Sequence, residues 1–168
     1  MGAVTQSYRA SSNLTVTNLH SIATSSTWVG GYESATIDNT TNLYLDYIFD
    51  GKVTVGTTPT ASTEIRIYVV ASVDGTTWPD VFDGTSSAET VTSAGVLYGL
   101  GRLAAVLTVD STTSNRAYYC APFSVAALFG GILPPSYVIF ISHNTGVNSN
   151  STTGNHAWSY TRIVATVA

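Results

Sequence analysis

Apolar side chains in this chain recur at every second position, in short runs closed by turn formers. Residues 64–73 are the clearest run. Ile65, Ile67, Val69 and Ala71 share one face, while Arg66, Tyr68 and Val70 share the other. A repeat of two belongs to a pleated strand, where successive side chains point to opposite sides. Asp74-Gly75 ends the run with a turn pair. The signal returns at 42–49, where Leu43, Leu45, Tyr47 and Phe49 alternate with Tyr44, Asp46 and Ile48. Asp50-Gly51 follows as a tight turn or bulge before extended structure resumes at 52–55. Further strands are expected at 88–91, 103–109, 117–121, 137–143 and 157–167. In 103–109 the common face is Leu103, Ala105, Leu107 and Val109. Only residues 124–129 read as a helical turn, stopped by Gly130-Gly131 and then Pro134-Pro135.

Composition argues against long helices. Charged residues make up 10% of the chain, against roughly 25% in a typical soluble domain. The Glu, Lys and Arg that coat exposed helix faces are scarce, and Thr, Val, Ile and Tyr suit half-buried pleated surfaces. Roughly seven to nine short strands predict an all-β fold: a two-sheet antiparallel sandwich, with a jelly roll as the preferred form. A length of 168 residues suits one domain with a core of its own. Residues 28–168 are expected to form that domain. Residues 1–27 are rich in Ser, Thr and Asn, with short alternation at Leu14, Val16 and Leu19. They read as an extended N-terminal arm that can also belong to the domain.

Several function classes have little support. Net charge is −4 and no basic run exists, so nucleic acid finds no electrostatic footprint. No apolar run approaches the roughly 18 residues of a membrane span. The opening Met1-Gly2-Ala3-Val4-Thr5-Gln6 lacks the pattern of a signal peptide, and Gln6 breaks the myristoylation pattern. Cys120 is the single cysteine, so no internal disulfide and no cysteine-based zinc site can form. It reads as a buried structural thiol.

Motifs for chemistry are weak. Gly99-Leu100-Gly101-Arg102-Leu103-Ala104 matches a loose dinucleotide fingerprint, but a strand-like segment follows where a helix is required, so it reads as a β-turn. His20, His143 and His156 form no metalloprotease motif. His143 and His156 flank the Asn-rich loop 144–155, which is expected to be long and exposed, and no third ligand is evident. The loop 74–84 carries Asp74, Asp80 and Asp83, oxygen ligands that suit Ca²⁺, in a spacing that departs from the EF-hand. Its Trp78 suits an exposed contact anchor. Trp and Tyr abundance admits sugar stacking, with Tyr32, Trp78 and Trp158 as candidate platform residues, and equally admits an aromatic core. No catalytic, cofactor-binding or metal-ligating residue is assigned. Trp78, Asp80, Asp83, Asn144, Asn150 and His156 are assigned to candidate partner-contact loops.

A wider likeness lies in the overall text. It runs from Trp28-Val29-Gly30-Gly31-Tyr32-Glu33-Ser34 through Thr63-Glu64-Ile65-Arg66-Ile67-Tyr68 and the Asp-Gly/Trp-Pro-Asp loop. It continues through Pro134-Pro135, His143-Asn144-Thr145-Gly146 and Gly154-Asn155-His156-Ala157. From about residue 28 onward the chain resembles small uncharacterised proteins encoded among the structural genes of tailed bacteriophages and prophages. The resemblance brings no active-site residues. It implies a non-enzymatic virion component made in the host cytoplasm, with capsid decoration or cement first and a tail or adaptor role second. The implied partner is the major capsid protein or another virion protein, and the implied state is a homo-oligomer, with a trimer favoured. A receptor- or glycan-binding sandwich is the alternative from a different class.

Overall fold

The alternating runs fold as two antiparallel sheets in the computed structural model, which describes residues 3–167. Eleven strands follow in chain order: β1 Val4–Tyr8, β2 Ser12–Leu14, β3 Gly30–Glu33, β4 Ile37–Asp38, β5 Asp46–Thr54, β6 Thr63–Ser72, β7 Ser87–Thr90, β8 Arg102–Val109, β9 Ala117–Ser124, β10 Ser136–His143 and β11 Ala157–Val167. One sheet has the order β1-β11-β5-β9, with β2 also on β11. The other has the order β7-β3-β10-β6-β8, with β4 also on β10. The all-β two-sheet sandwich expected from the alternation is the fold observed.

Pairing between the two halves of the chain is nested. β6 pairs β8, β5 pairs β9, β3 pairs β10 and β2 pairs β11, all antiparallel. The additional ladders β6–β10 and β5–β11 join these pairs into sheets.

Side-chain alternation sorts the interior into two cores. Ile65, Ile67 and Val69 of β6 and Tyr137, Ile139 and Ile141 of β10 face the space between the sheets, where Tyr47, Phe49, Val53 and Trp158 meet them. Tyr68 and Val70 of β6 and Val138 and Phe140 of β10 point the other way, under a second cluster with Trp28, Phe82, Val91 and Leu97. Strand β10 is therefore buried along its whole length, which explains its continuous apolar text. Each large side chain so buried contributes about 1.5–3 kcal/mol.

Four local expectations require correction. Leu43 and Leu45 were expected on the same face as Tyr47 and Phe49; they are exposed, because β5 starts only at Asp46. Leu103, expected on the inner face of β8, is exposed, and the β6–β8 ladder shifts register between Ile67 and Tyr68. The text Gly99–Gly101 is not a β-turn but the end of a helix, α1 Ala94–Leu100, which the sequence reading missed. Its N-cap Ser93 accepts a hydrogen bond from Val96 N–H at 3.2 Å, and Leu97 anchors it in the second core. The expected helical turn is present as α2 Val125–Leu128, capped by Ser124. The loop 144–155 is not simply exposed: Thr145, Ser149 and Asn150 are buried.

Gly51 continues strand β5 rather than making a turn, and the bulge falls on β9, where Ala121 and Pro122 together face Asp50. The β5–β9 register shifts between Phe49 and Gly51, and Gly51 lies opposite Trp158 of β11. A Cβ at Gly51 would stand 2.7 Å from Trp158 Cγ and 2.8 Å from the Ala157 carbonyl. The absent side chain is what lets the indole lie over the strand.

Residues before β3 are packed against the sandwich in part. Val16, Leu19 and Ile22 join the main core around a short 3-10 turn, Thr17–Leu19. β1 behaves differently, since all five of its residues are exposed. Beyond Ile163, which pairs Asp46, β11 is partnered by β1 alone, so Val4–Ser7 and residues 164–167 form a two-stranded ribbon.

Candidate functional site

A cluster of three carboxylates forms where β3, β7 and the loop 74–84 meet. Glu33 is the last residue of β3 and stands between two strands, opposite Ser87 of β7 and Phe140 of β10. Glu89 lies two residues beyond Ser87, diagonally across the ladder and on the same face as Glu33. Asp83 arrives from the loop. Gly84 sets this approach: its φ is +77°, its N–H donates to Glu33 Oε1 at 2.8 Å, and its carbonyl accepts from Thr36 N–H at 2.9 Å. A side chain there would meet the Thr36 hydroxyl and the Trp78 ring.

One oxygen from each of Glu33, Asp83 and Glu89 lies within 4.8 Å of the other two. Glu33 is 0% exposed, and its Oε2 has no hydrogen-bond partner. Asp83 uses Oδ1 to accept from Thr85 N–H at 2.8 Å, and Glu89 uses Oε1 to accept from the Ser87 hydroxyl at 2.7 Å. The two ion pairs among the described residues, Arg66–Glu64 and Arg116–Asp110, lie elsewhere. Burial pushes the Glu33 carboxyl up to about 7, the backbone N–H groups of Gly84 and Asp83 oppose the rise, and the Asp83 and Glu89 carboxylates add to it. Hard oxygen donors converging without a cationic side chain are a donor set for a divalent ion.

The loop's own carboxylates do not converge with one another. Asp74 accepts from Thr76 and Thr77 N–H at 2.9 and 2.7 Å, which holds its carboxyl well below the usual range. Asp80 binds Thr92, accepting from its N–H at 2.8 Å and its hydroxyl at 2.6 Å, and so clamps the loop to the segment after β7. Of the three aspartates, only Asp83 reaches the cluster. Trp78 is half-buried against the second core rather than freely displayed.

A second polar region surrounds the loop 144–155, and its buried histidines are saturated. His143 Nδ1 lies 3.0 Å from the Thr145 hydroxyl, and Nε2 lies 3.1 Å from the Ile22 carbonyl. His156 Nδ1 accepts from Thr54 N–H at 3.2 Å, and Nε2 faces the Asn150 carbonyl at 3.0 Å. Burial lowers the pKa of both rings. Asn150 spans the loop, donating to Asn115 Oδ1 at 2.7 Å and accepting from Thr152 N–H at 2.8 Å. Asn144 accepts from Glu64 N–H at 2.7 Å. Asn144, Asn150 and His156 therefore serve as internal ties of this loop. The His20 ring lies tilted beside that of His156, with centroids 5.4 Å apart.

The remaining candidates resolve simply. Gly99–Gly101 ends a helix and precedes a strand, the reverse of a dinucleotide loop. Cys120 is buried, its thiol donates to the Ala121 carbonyl at 3.3 Å, and burial pushes it up to about 11. Tyr32 and Trp158 are buried, so they present no stacking platform. Glu33 and Glu89 were missed by sequence reasoning. The available signal was a glutamate between Tyr32 and Ser34 in a strand-like stretch with no basic residue beside it. No family model matches the chain, and no curated protein or solved structure matches it either.

Proposed function

We propose that this chain is a non-enzymatic structural protein of a tailed-phage virion, acting as a capsid decoration or cement protein on the major capsid protein. The sequence resemblance supplies the virion class. The observation that carries the assembly role is the ribbon of β1 with the far part of β11. Val4 stands 68% exposed on it, and Tyr8 stands 74% exposed where it joins the sheet. A two-stranded ribbon is marginal in water by itself, and a third strand or an apolar surface stabilises it. A neighbouring subunit is the natural supplier of that surface. Low surface charge favours the same reading, because fewer ions are stripped of water on contact.

The strand order supports a jelly-roll reading. β2, β3, β5 and β6 pair in reverse order with β8, β9, β10 and β11, and each half of the chain divides between the two sheets. Such a body offers stiff sheet faces and loops at its ends, and repeated weak contacts over a shell sum through avidity.

Mass spectrometry of purified particles tests the reading: the chain is expected at a copy number comparable to the capsid lattice. A density map is then expected to locate it on the shell, as trimers. Density on the tail would replace decoration by an adaptor role, and absence from particles would overturn the virion reading altogether.

A further inference from the structure

We propose that Glu33, Asp83 and Glu89 form a binding site for a divalent cation of the calcium type. The inference is independent of any virion role, since it concerns the outer face of one sheet, on the side of the second core and under the loop 74–84. Two observations carry it. One carboxylate oxygen from each residue lies within 4.8 Å of the others, a spread that fits a single ion about 2.3–2.6 Å from each. Independently, Glu33 is wholly buried, its Oε2 lacks any hydrogen-bond partner, and its carboxylate converges on the other two.

An unpaired buried carboxylate is costly, and two further carboxylates beside it raise that cost. A plain core position would be filled by an apolar or hydrogen-bonded residue. Here the fold does the opposite. Gly84 N–H fixes Glu33 Oε1, Thr85 fixes Asp83, and Ser87 fixes Glu89, so all three groups are oriented while Glu33 Oε2 stays unpartnered. The trio comes from two adjacent strands and a loop clamped by Asp80 to Thr92. A bound ion would therefore tie the loop 74–84 to the sheet. Asp83 is exposed and Glu89 is half-buried, which leaves a side from which the ion and its waters enter.

Terbium luminescence tests the site with the full chain, using Tb³⁺ as the calcium stand-in. The Trp78 ring lies beside Gly84, within range to sensitise a bound Tb³⁺. Indole excitation is expected to give Tb³⁺ emission that Ca²⁺ competes away. Ca²⁺ is expected to raise the melting temperature, and a chelator to reverse the rise. Glu33→Gln keeps an oxygen for the Gly84 N–H and removes the charge. It is expected to fold and to weaken Ca²⁺ binding by about tenfold or more. The double variant D83N/E89Q is expected to abolish both responses. Wild-type protein that gives neither signal with Ca²⁺ at about 10 mM, above the weakest common protein sites, would overturn the proposal. So would responses that survive in both variants.

Discussion

Two regions of this sandwich bury polar groups in opposite ways. Around the loop 144–155, both ring nitrogens of His143 and of His156 are engaged, and neighbouring Asn and Thr groups close the network. Around Glu33, one oxygen is engaged and the other is left bare beside two like charges. The first region behaves as a finished structural joint, because satisfied buried networks rigidify a fold. The second has carboxylate oxygens held in place with no cationic side chain paired to them, which is the arrangement on which the cation proposal rests. The presence of polar groups does not distinguish structure from site; their saturation does.

The sharpest way to break the contrast is to remove one member of each region. His143→Ala leaves the Ile22 carbonyl and the Thr145 hydroxyl without the ring and opens a cavity. Urea unfolding is expected to show a loss of about 3 kcal/mol. Glu33→Gln in chelator at pH 8 is expected to change stability in the opposite direction, by about 2 kcal/mol, since it removes a buried charge. If both variants destabilise equally, the distinction between the regions fails.

Acidity separates the regions by sign. Glu33, raised from 4.5 to about 7, favours the metal-free fold fully below 4.5, and this contribution is lost as pH rises through about 7. His143 and His156 are depressed below their ordinary 6.5. Their contribution is complete above 6.5 and is lost as pH falls towards their folded values. In metal-free protein the two slopes oppose each other just below 6.5, where the histidines and Glu33 titrate together. Glu33→Gln is therefore expected to show a steeper gain of stability with rising pH than the wild type, measured by melting across that window. A parallel pair of curves would remove Glu33 as the source.

The smallest expected effect is at the ribbon. Removing residues 1–8 takes away an exposed strand and the Thr5–Thr166 hydroxyl pair at 3.1 Å. The isolated domain is expected to lose about 1 kcal/mol or less, within the range of cross-strand pairs. The same truncation is expected to abolish attachment to particles. A large stability loss would make β1 part of the core rather than a contact element.

Much of the fold was legible because period-two patterning reports local geometry. Residues 64–73 and 137–143 became β6 and β10 with little adjustment. Helix α1 was missed for a physical reason: Gly95 and Gly99 lower its intrinsic propensity, and burial of Leu97 with the Ser93 cap holds it instead. Faces were misassigned at Leu43, Leu45 and Leu103, where the strand had not begun or a ladder irregularity intervened. The acidic cluster was barely legible. Asp83 stood out through its loop, while Glu33 and Glu89 lie far along the chain from each other and meet through β3–β7 pairing, a tertiary fact. The loop 144–155 looked exposed from its Asn, Ser and Thr content, yet such side chains also bond internally.

The nested ladder also sets a timetable for folding. β2 pairs β11, and Thr5 bonds Thr166 across 161 positions, so the outermost ladders close the longest loops in the chain. The innermost pair, β6 with β8, is expected to close first, at the least entropic cost. Sheet β1-β11-β5-β9 has its middle only once β11 arrives, and until then β5 keeps one bare edge. Folding is thus expected to be slow for the size of the chain, on the order of milliseconds to seconds. Over that interval β5 and the apolar side chains Tyr137, Ile139 and Ile141 of β10 stand open to other chains, which makes refolding yield more sensitive to protein concentration than the finished domain would suggest.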